Sequence, residues 1–577
     1  MRLVRAAVVA ATCALLAGCV QMPTAGPVVE PQVTTASEDP PGISFDPRPP
    51  QDGETPAEIV DGFLEAMKAT PISTTVARQF LSREAADTWA PEQQILTYGD
   101  LGTSAGEMSV QVPLSDLNLY DARGAWEGSR ASSELDLGLV QEDGEWRIDE
   151  VPDALIVPES WFDDWYQRVS LYYFDPTSEV LVAEPVFAPR GDQFASSLVR
   201  GLVSPLDDEA QDVVRSYFPS LGTSGLSVPV RSGIATVSLP GDPDAIDDDT
   251  AQRMLAQLVW TLRQDEDIQA VEFSIGGRIL SNGPGGSTQV NFDVGSAYDP
   301  NGLRVDTDLY ALDDGLVVTG SLSGFDDTLG PLGTKDYGVR SIGVGVDGAH
   351  VAAVTADGTG IYVAPTEAPD GEVTRPVAGA VDLERPHWDY RDRIWALDRG
   401  AGRARVILVV EGVASEIEVP GLTGRDVTRM LVSRDGSRLV AVLRGRKTDR
   451  VVSTRVRHDS AGAVIGFTPL RTLPLASESA GRIRDIAWHS PTTVSVLRDI
   501  ADQLSSEVRT TSVDGAPGEI ATVGATRARD INRLLVATPV DGPDTFALAG
   551  RAVSNLTHPE RLVPDLPRGL TSLTYTG

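Results

Sequence analysis

The sequence predicts a multidomain protein in which two α+β domains are followed by an all-β propeller. Up to about residue 300, segments with helical periodicity alternate with strand-like segments, and the helical periodicity then disappears. From residue 305 onward a strand, tight turn and strand recur, as in VSRDGSRLVAV at 432–442. The successive spacings of about 40 to 57 residues are typical of four-stranded propeller blades.

The chain opens with a short secretory segment. Two arginines precede an apolar run at 6–16, which is too short for a permanent membrane helix because spanning needs about 20 residues. The following LAGC at 16–19 resembles the bacterial lipobox, whose cysteine accepts diacylglycerol before cleavage. The sequence therefore predicts a signal peptide over 1–18, cleavage between Gly18 and Cys19, and S-diacylglycerol and N-acyl groups on Cys19. An ordinary secretory signal with an accidental cysteine is the alternative.

Residues 19–54 are predicted to comprise the lipidated Cys19 and a disordered tether. They are rich in proline, threonine, serine and acidic residues and show no apolar periodicity, which is typical of a linker. About 35 residues span roughly 30 Å as a coil and about 100 Å as polyproline II. A lipid at one end and this linker at the other would hold the body of the protein off the membrane.

Residues 55–165 are predicted to form the first α+β domain. The stretch TPAE at 55–58 has the pattern of a capping box and starts an amphipathic helix, and a second helix is expected at 74–88. Alternating segments predict four strands, at 108–112, 117–122, 135–140 and 146–148. Helices followed by a curled antiparallel sheet resemble the NTF2-like or cystatin-like class. The domain contains no histidine, so a spacer or docking role is the preferred interpretation.

Residues 166–300 are predicted to form a second α+β domain with the order β-α-β-β-α-β. The expected elements are strand 169–174, helix 194–202, strands 226–230 and 234–239, helix 249–264 and strand 270–275. The phrases LVRGLVSPL, VRSGIATVSLPG and QLVWTLRQDEDIQAVEFSIGG resemble the GerMN, or germane, domain of spore-germination proteins and envelope lipoproteins. This resemblance implies a GerMN-like binding or assembly module with no assigned catalysis.

Residues 305–577 are predicted to form the β-propeller. We count six blades, with five or seven as alternatives. Residues 571–577 are expected to add an inner strand to a blade that begins at 310–321, because such pairing closes the ring without a free sheet edge.

Charge and cysteine content exclude several classes of function. The formal net charge of −35 argues against nucleic-acid binding, which needs a basic surface, and against broad electrostatic binding to anionic lipid. The chain has two cysteines, Cys13 and Cys19, and Cys13 would leave with the signal peptide. The exported protein must therefore fold without disulfide bonds.

Three motifs suggest chemistry but lack the context that this chemistry needs. GVGVDG at 343–348 matches a dinucleotide-binding pattern, but a strand follows it where a helix is required. GTSAG at 102–106 matches a nucleophile elbow and also lacks the following helix. The acidic run at 242–249 departs from the order of an EF-hand loop and is interpreted as a cap for the next helix. We therefore predict no catalytic, cofactor-binding or metal-ligating residue.

The histidines and two neighbouring tryptophans also favour structural roles. All five histidines lie in the predicted propeller without metal-ligand spacing: His350, His387, His458, His489 and His558. Trp161 and Trp165 lie one helical turn apart, as in a sugar-binding platform, but packing between domains is the preferred interpretation.

The order of lipobox, linker, NTF2-like domain, GerMN-like domain and propeller resembles the actinobacterial LpqB lipoprotein family over the whole mature chain. The resemblance implies an extracytoplasmic protein, anchored in the cell membrane through Cys19, that binds the extracellular domain of the sensor histidine kinase MtrB. It would thereby modulate the MtrA–MtrB two-component system, cell-wall homeostasis and division. The family offers no catalytic residues to carry over, so no enzymatic activity is expected.

Two alternatives stay open. A propeller hydrolase or lyase would cluster His387, His489 and carboxylates around the central channel. A binder of peptidoglycan or another glycan would use the GerMN-like domain and could coexist with kinase binding.

Overall fold

A computed structural model describes residues 44–102, 108–221, 226–281, 287–302, 305–475, 481–499, 506–518, 533–536 and 544–577, with the backbone of 104–105. Residues 44–577 form one compact unit. Within the described ranges, no helix combines the length and the apolarity that crossing a bilayer requires. The predicted cleavage and lipidation residues, Gly18 and Cys19, lie outside the described part.

The N-terminal domain (44–165) packs helices against a seven-stranded sheet. Its helices are α1 (Pro56–Ala66), α2 (Arg83–Thr88) and α3 (Glu159–Trp165). Its strands are β1 (Gln94–Tyr98), β2 (Asp100–Leu101), β3 (Ser104–Ala105), β4 (Ser109–Asp121), β5 (Trp126–Glu142), β6 (Glu145–Glu150) and β7 (Leu155–Pro158). The strand order is β6-β5-β4-β1-β7, with β2 and β3 paired to β4. Residues assigned to the tether also join this domain, because Phe45 pairs with Thr70.

Two local predictions in this domain were wrong. The helix expected at 74–88 is a 3-10 turn at Ala77–Phe80 followed by α2, because Ser82 is extended and caps α2 by accepting a hydrogen bond from the Ala85 N–H. The strands expected at 108–112 and 117–122 are one strand, β4, which continues through Asp116 although its φ is 52°. The capping box that starts α1 is present.

The middle domain (166–300) contains a two-stranded hairpin and a five-stranded sheet around two principal helices. Its helices are α4 (Phe194–Val203), α5 (Asp208–Gln211) and α6 (Asp248–Leu262). Its strands are β8 (Tyr166–Phe174), β9 (Leu181–Pro189), β10 (Val230–Arg231), β11 (Ile234–Leu239), β12 (Ala270–Ile275), β13 (Arg278–Leu280) and β14 (Gln289–Asn291). Strand β8 pairs with β9, and β11 runs parallel to β12.

The predicted order β-α-β-β-α-β omitted β9 and the short elements α5, β13 and β14, and the strand expected at 226–230 is limited to β10, Val230–Arg231. Eight of the nine β9 residues are buried, so this strand lacks the polar alternation by which half-buried strands are recognised. The acidic run at 242–249 does cap the next helix, since the Asp247 carboxylate accepts a hydrogen bond of 2.7 Å from the Thr250 N–H at the start of α6.

The propeller (305–577) consists of six sheets among the described residues, in agreement with the predicted count. Blade 1 contains β15 (Leu309–Asp313), β16 (Leu316–Ser321) and β17 (Gly324–Asp327). Helix α7 (Pro331–Thr334) follows. Blade 2 consists of β18 (Val339–Val344), β19 (His350–Thr355), β20 (Ile361–Pro365) and β21 (Thr374–Val377). Blade 3 is β22 (His387–Trp388), β23 (Ile394–Asp398), β24 (Arg405–Val410) and β25 (Val413–Ile417). Blade 4 is β26 (Val427–Val432), β27 (Arg438–Leu443), β28 (Arg450–His458), β29 (Val464–Phe467) and β30 (Arg471–Leu473). Blade 5 consists of β31 (Ile483–Ser490), β32 (Thr493–Asp499) and β33 (Ser506–Ser512). Blade 6 consists of β34 (Arg533–Val536), β35 (Thr545–Ala549) and β36 (Ala552–Asn555).

The last strand closes the ring. Strand β37 (Leu570–Thr574) pairs antiparallel with β15 and becomes the inner strand of blade 1, as predicted. The glycines at 343–348 belong to β18 and its turn into β19, where Gly348 has a φ of +73°. They therefore shape a turn between strands.

Candidate functional site

The middle domain covers one face of the propeller, which we call the near face. The loops between the first and second strands of the blades lie on this face. The Tyr390 hydroxyl in blade 3 donates a 3.0 Å hydrogen bond to Asp175, and Arg391 in the same loop donates a 2.7 Å bond to Glu179. The opposite face, which we call the open face, consists of the loops between second and third strands and the connections between blades.

A buried ion-pair group joins the middle domain to blade 4. We call it the Glu184 cluster, and it consists of Glu184 on β9, Arg438 on β27 and Arg455 on β28. Arg438 donates a 2.8 Å hydrogen bond to Glu184, and Arg455 pairs with the same carboxylate oxygen. The three side chains are only 13%, 5% and 13% exposed, respectively. Burial lowers the pKa of Arg455 to about 10, against the opposing effect of Glu184.

The N-terminal domain joins the same assembly through two close contacts. Arg123 pairs with Asp121 of its own domain at 2.7 Å and with Asp207 of the middle domain at 2.5 Å. The backbone N–H of Phe187 donates a 2.8 Å hydrogen bond to the carbonyl oxygen of Gly124. The three domains therefore hold one another in fixed positions.

Charged side chains meet beside the inner strands of blades 3 to 5. The Arg429 Nε lies 3.3 Å from Glu384 and 3.5 Å from Asp485. Burial nevertheless raises the pKa of Glu384 to about 7. Burial and the charges of Arg385 and Arg533 hold the pKa of His387 well below its ordinary value.

The Glu384 carboxyl should make stability depend on pH. Its folded-state pKa of about 7 exceeds the ordinary value, so the folded chain binds this proton more tightly than the unfolded chain does. The stabilisation that this tighter proton binding gives the folded chain is therefore complete below about pH 4.5 and is lost as pH rises to about 7. We expect Glu384→Gln to flatten the pH dependence of the urea midpoint over this range. Glu418→Gln, at an exposed glutamate of blade 3, is the control, and an unchanged slope in Glu384→Gln would rule out this carboxyl as the source.

The structure does not bring the two histidines of the enzyme alternative together in the described part of the chain. His387 lines a small cavity of about 70 Å³ with Arg385, Trp488 and Tyr575, and His489 is not among the lining residues. The His489 Nδ1 lies 3.1 Å from the Thr545 hydroxyl. Two carboxylates beside the inner strands, Glu384 and Asp485, lie near Arg429 and not among the residues that line this cavity.

The remaining histidines occupy separate structural positions. Burial lowers the pKa of His458 to about 4, with a further lowering from Arg393. His558 lies 3.7 Å from Asp544, and His350 is exposed. No group of three or more histidine, cysteine, aspartate or glutamate side chains suited to a metal ion occurs in the ranges described.

The paired tryptophans and the GTSAG motif have structural surroundings. The Trp161 Nε1 donates a 3.1 Å hydrogen bond to the carbonyl oxygen of Lys68, and the Trp161 and Trp165 rings are 6.4 Å apart and tilted by 31°. Both pack against the core of the N-terminal domain. The backbone of 104–105 is strand β3, which pairs with β4, and this is not the strand-to-helix turn of a nucleophile elbow.

The open face carries a cluster of cations that the sequence reasoning missed. We call it the basic surface, and its exposed members are Arg403, Arg425, Arg446, Lys447 and Arg450. Their loops are adjacent: the Ala404 N–H donates to Arg425 O at 2.8 Å, and the Arg444 N–H donates to Asp426 O at 2.9 Å.

The nearby carboxylates have other partners. Asp426 lies 3.7 Å from Arg444, and Asp449 lies 2.7 Å from Arg482. None of the five members of the basic surface forms an ion pair with a carboxylate of the described residues. A sequence signal existed in the arginine-rich turns GAGRAR, TGRD and RGRKTDR, but the net charge of the whole chain conceals it.

Family comparisons agree with the three-part architecture. A model described as "Lipoprotein LpqB, N-terminal domain" matches residues 49–163, and "Lipoprotein LpqB beta-propeller domain" matches 315–552. A germane model, described as "Sporulation and spore germination", matches 170–281. The chain belongs to the LpqB lipoprotein family. The predicted family, the GerMN-like domain and the multidomain fold class with its propeller are thus confirmed.

Curated relatives show the same extent of similarity. Lipoprotein LpqB of Thermobifida fusca is 27% identical over 601 aligned positions, which cover 92% of this chain and 93% of the relative. Lipoprotein LpqB of Streptomyces coelicolor is 28% identical over 518 positions, with 82% of each chain covered. The solved Cps50 (Swd1) β-propeller domain is 12% identical and covers 43% of this chain and 78% of its own, with a TM-score of 0.29, which is too low to support further inference.

Proposed function

We propose that this protein is an extracytoplasmic lipoprotein, held at the cell membrane by acylated Cys19, that binds the extracellular domain of an MtrB-like sensor histidine kinase. It thereby modulates a two-component system that affects cell-wall homeostasis and division. The observation that carries the binding proposal is the basic surface on the open face of the propeller.

The basic surface has the properties of a protein-docking site. Its five cations lack carboxylate partners in the described part of a chain whose formal net charge is −35, so they are available to acidic residues of a partner. Complementary charges increase the rate of association and restrict the choice of partner. The middle domain occupies the near face, which leaves the open face accessible to a second protein.

The anchor supports the same proposal through proximity. A lipid on Cys19, followed by the linker that the sequence predicts, would keep the body within reach of a membrane receptor. Restricting both proteins to one membrane raises their effective concentration, and modest affinity then suffices. The family's lipoprotein name is consistent with such an anchor.

Neutralising the basic surface should slow binding to the kinase domain. We expect the triple variant Arg425→Gln, Arg446→Gln, Lys447→Gln to associate about tenfold more slowly at low salt, and its rate to depend less on salt, because steering charges act mainly on association. The measurement is surface plasmon resonance of the mature chain against the kinase extracellular domain. The matched control removes three exposed charges elsewhere, with Arg83→Gln, Arg130→Gln and Arg231→Gln.

Three outcomes contradict parts of this proposal. Failure of the wild-type chain to bind the kinase domain would overturn the function itself. Equal slowing in both triple variants would overturn the assignment of the surface. If the triple variant of the basic surface lost binding to phosphatidylglycerol vesicles but still bound the kinase domain as the wild type does, the open face would be a lipid contact. In cells, Cys19→Ala removes the lipid anchor but keeps the basic surface, so it separates the contributions of the anchor and of the surface to kinase signalling.

A further inference from the structure

A cavity of about 360 Å³ lies between the N-terminal and middle domains. We call it the domain cavity. Its volume is near the lower end of the roughly 300–1,000 Å³ typical of small-molecule sites, which is sufficient for a small ligand. Ile95, Leu155 and Phe187 provide apolar wall, and hydroxyl groups of Ser73 and Thr75 lie at another side.

The polar wall on the middle-domain side comes from one face of α4. Gln193, Ser197 and Arg200 line the cavity, and their spacing of four and three residues places them on the same side of a helix that begins beside Gln193. Most other residues of α4 are buried and apolar. Gln193 donates a 2.7 Å hydrogen bond to the carbonyl oxygen of Ile72, which fixes the opposite wall.

Arg200 has no counterion in the described part of the chain. Its Nε is buried and has no hydrogen-bond acceptor. Asp121 also lines the cavity, but it accepts hydrogen bonds of 2.7 to 2.9 Å from Arg123 and the Ala125 N–H. An unpaired guanidinium facing a cavity favours an anionic ligand group, because planar donors suit a carboxylate.

Tyr166 supplies a second free donor beside Arg200. The side chain lines the cavity although the residue is only 8% exposed, and its hydroxyl has no hydrogen-bond partner within the residues described. Its ring is stacked on Phe162 with centroids 4.6 Å apart. Burial raises the pKa of Tyr166, with a smaller lowering from Arg200, so the hydroxyl stays protonated and can donate.

Glu92 provides the opposite charge on the other domain. It lies in the 3-10 turn Pro91–Gln93 of the N-terminal domain and lines the same cavity. No cation of the described chain lies within ion-pair distance of this carboxylate. The cavity thus presents one unpaired cation and one unpaired anion on two different domains.

We propose that the domain cavity binds a zwitterionic ligand, an amino acid or short peptide with a free carboxylate and a free amine. The carboxylate accepts hydrogen bonds from Arg200 and Tyr166, and the ammonium group pairs with Glu92. The ligand bridges the N-terminal and middle domains. This site is separate from the basic surface, so it adds a ligand to the proposed function and does not depend on it.

Calorimetric titration of the mature chain with the dipeptide Ala-Ala tests the assignment. We expect saturable binding, which weakens about 10- to 100-fold when the carboxylate is amidated or the amine is acetylated, as for other charged hydrogen bonds. Arg200→Gln and Tyr166→Phe should weaken binding of Ala-Ala and of its N-acetyl form alike. Glu92→Gln should weaken binding of Ala-Ala but leave that of the N-acetyl form unchanged.

Matched controls are Arg231→Gln and Glu84→Gln, which remove exposed charges from the same two domains. Absence of binding at about 10 mM dipeptide, an affinity limit beyond any specific site of this size, overturns the proposal. So does equal weakening in the control variants, or N-acetyl dipeptide binding as tightly as the free dipeptide. Tyr166→Phe keeps the ring stacking, so it provides the test should Arg200→Gln fail to fold.

Discussion

Glu184→Gln should release the middle domain from the propeller. The substitution keeps the shape of the side chain but removes the one negative charge shared by Arg438 and Arg455, whose side chains are only 5% and 13% exposed. Removing one partner of a buried ion pair costs about 3–5 kcal/mol, because an uncompensated charge stays buried. We expect thermal unfolding to split into two transitions, and amide exchange at β9 and β27 to accelerate.

Glu179→Gln is the matched control for this experiment. Glu179 lies in the turn between β8 and β9 and pairs with Arg391 on the same face of the propeller at 2.7 Å. Their side chains are 58% and 27% exposed, and pairs as accessible as this contribute about 0–1 kcal/mol. A single unfolding transition in both variants, at similar temperatures, would show that the Glu184 cluster does not hold the domains together.

Local signals in the sequence were sufficient to predict many of the elements and the order of the three domains. The capping box at Thr55 and Glu58 satisfies neighbouring backbone groups, so it is readable without any tertiary information. The propeller was readable for a related reason, since each blade repeats a strand and turn pattern. Closure by β37 followed from geometry, because an unpaired inner strand position leaves a sheet edge open.

Features that depend on distant partners were not readable. Glu184 stands in the apolar stretch LVAEPVFAP, and its two arginines are 254 and 271 residues away. Nothing in the local pattern indicates that this glutamate is buried. The same limit applies to β9, whose burial on both faces removes the alternation that identifies half-buried strands.

The candidate sites show a second limit, because properties averaged over a whole chain or a whole helix conceal local groups of charged residues. A net charge of −35 predicts repulsion from acidic partners, but adjacent turns on the open face gather Arg425, Arg446 and Lys447. In the domain cavity, Ser197 and Arg200 interrupt an apolar helix at positions that share one face, and this signal was available in LVRGLVSPL and the residues before it. This pattern could be interpreted as part of a binding site only with Glu92 and Tyr166, which the fold brings to the same cavity.

Gly124→Ala should disrupt the junction between the N-terminal and middle domains. Gly124 has a φ of +81°, and an added Cβ would lie 2.1 Å from the carbonyl oxygen of Phe187. A left-handed conformation costs a residue with a Cβ about 1–2 kcal/mol, and forced overpacking adds about 1–3 kcal/mol. We therefore expect the N-terminal domain to lose about 2–5 kcal/mol of stability against urea. Because Gly124 and Phe187 both line the domain cavity, Ala-Ala binding should weaken as well.

Gly144→Ala separates the two contributions. Gly144 has a similar φ of +89°, but a Cβ there would meet no atom within 4 Å. The alanine variant should therefore lose only the about 1–2 kcal/mol that a left-handed conformation costs. The difference in urea stability between the two variants measures the close approach of Gly124 to Phe187. Equal losses would mean that β9 moves away from the alanine at little cost, and the contact between the domains would then be adaptable. A larger loss at Gly124, accompanied by weaker dipeptide binding, would mean that the same backbone contact fixes both the junction and the cavity wall.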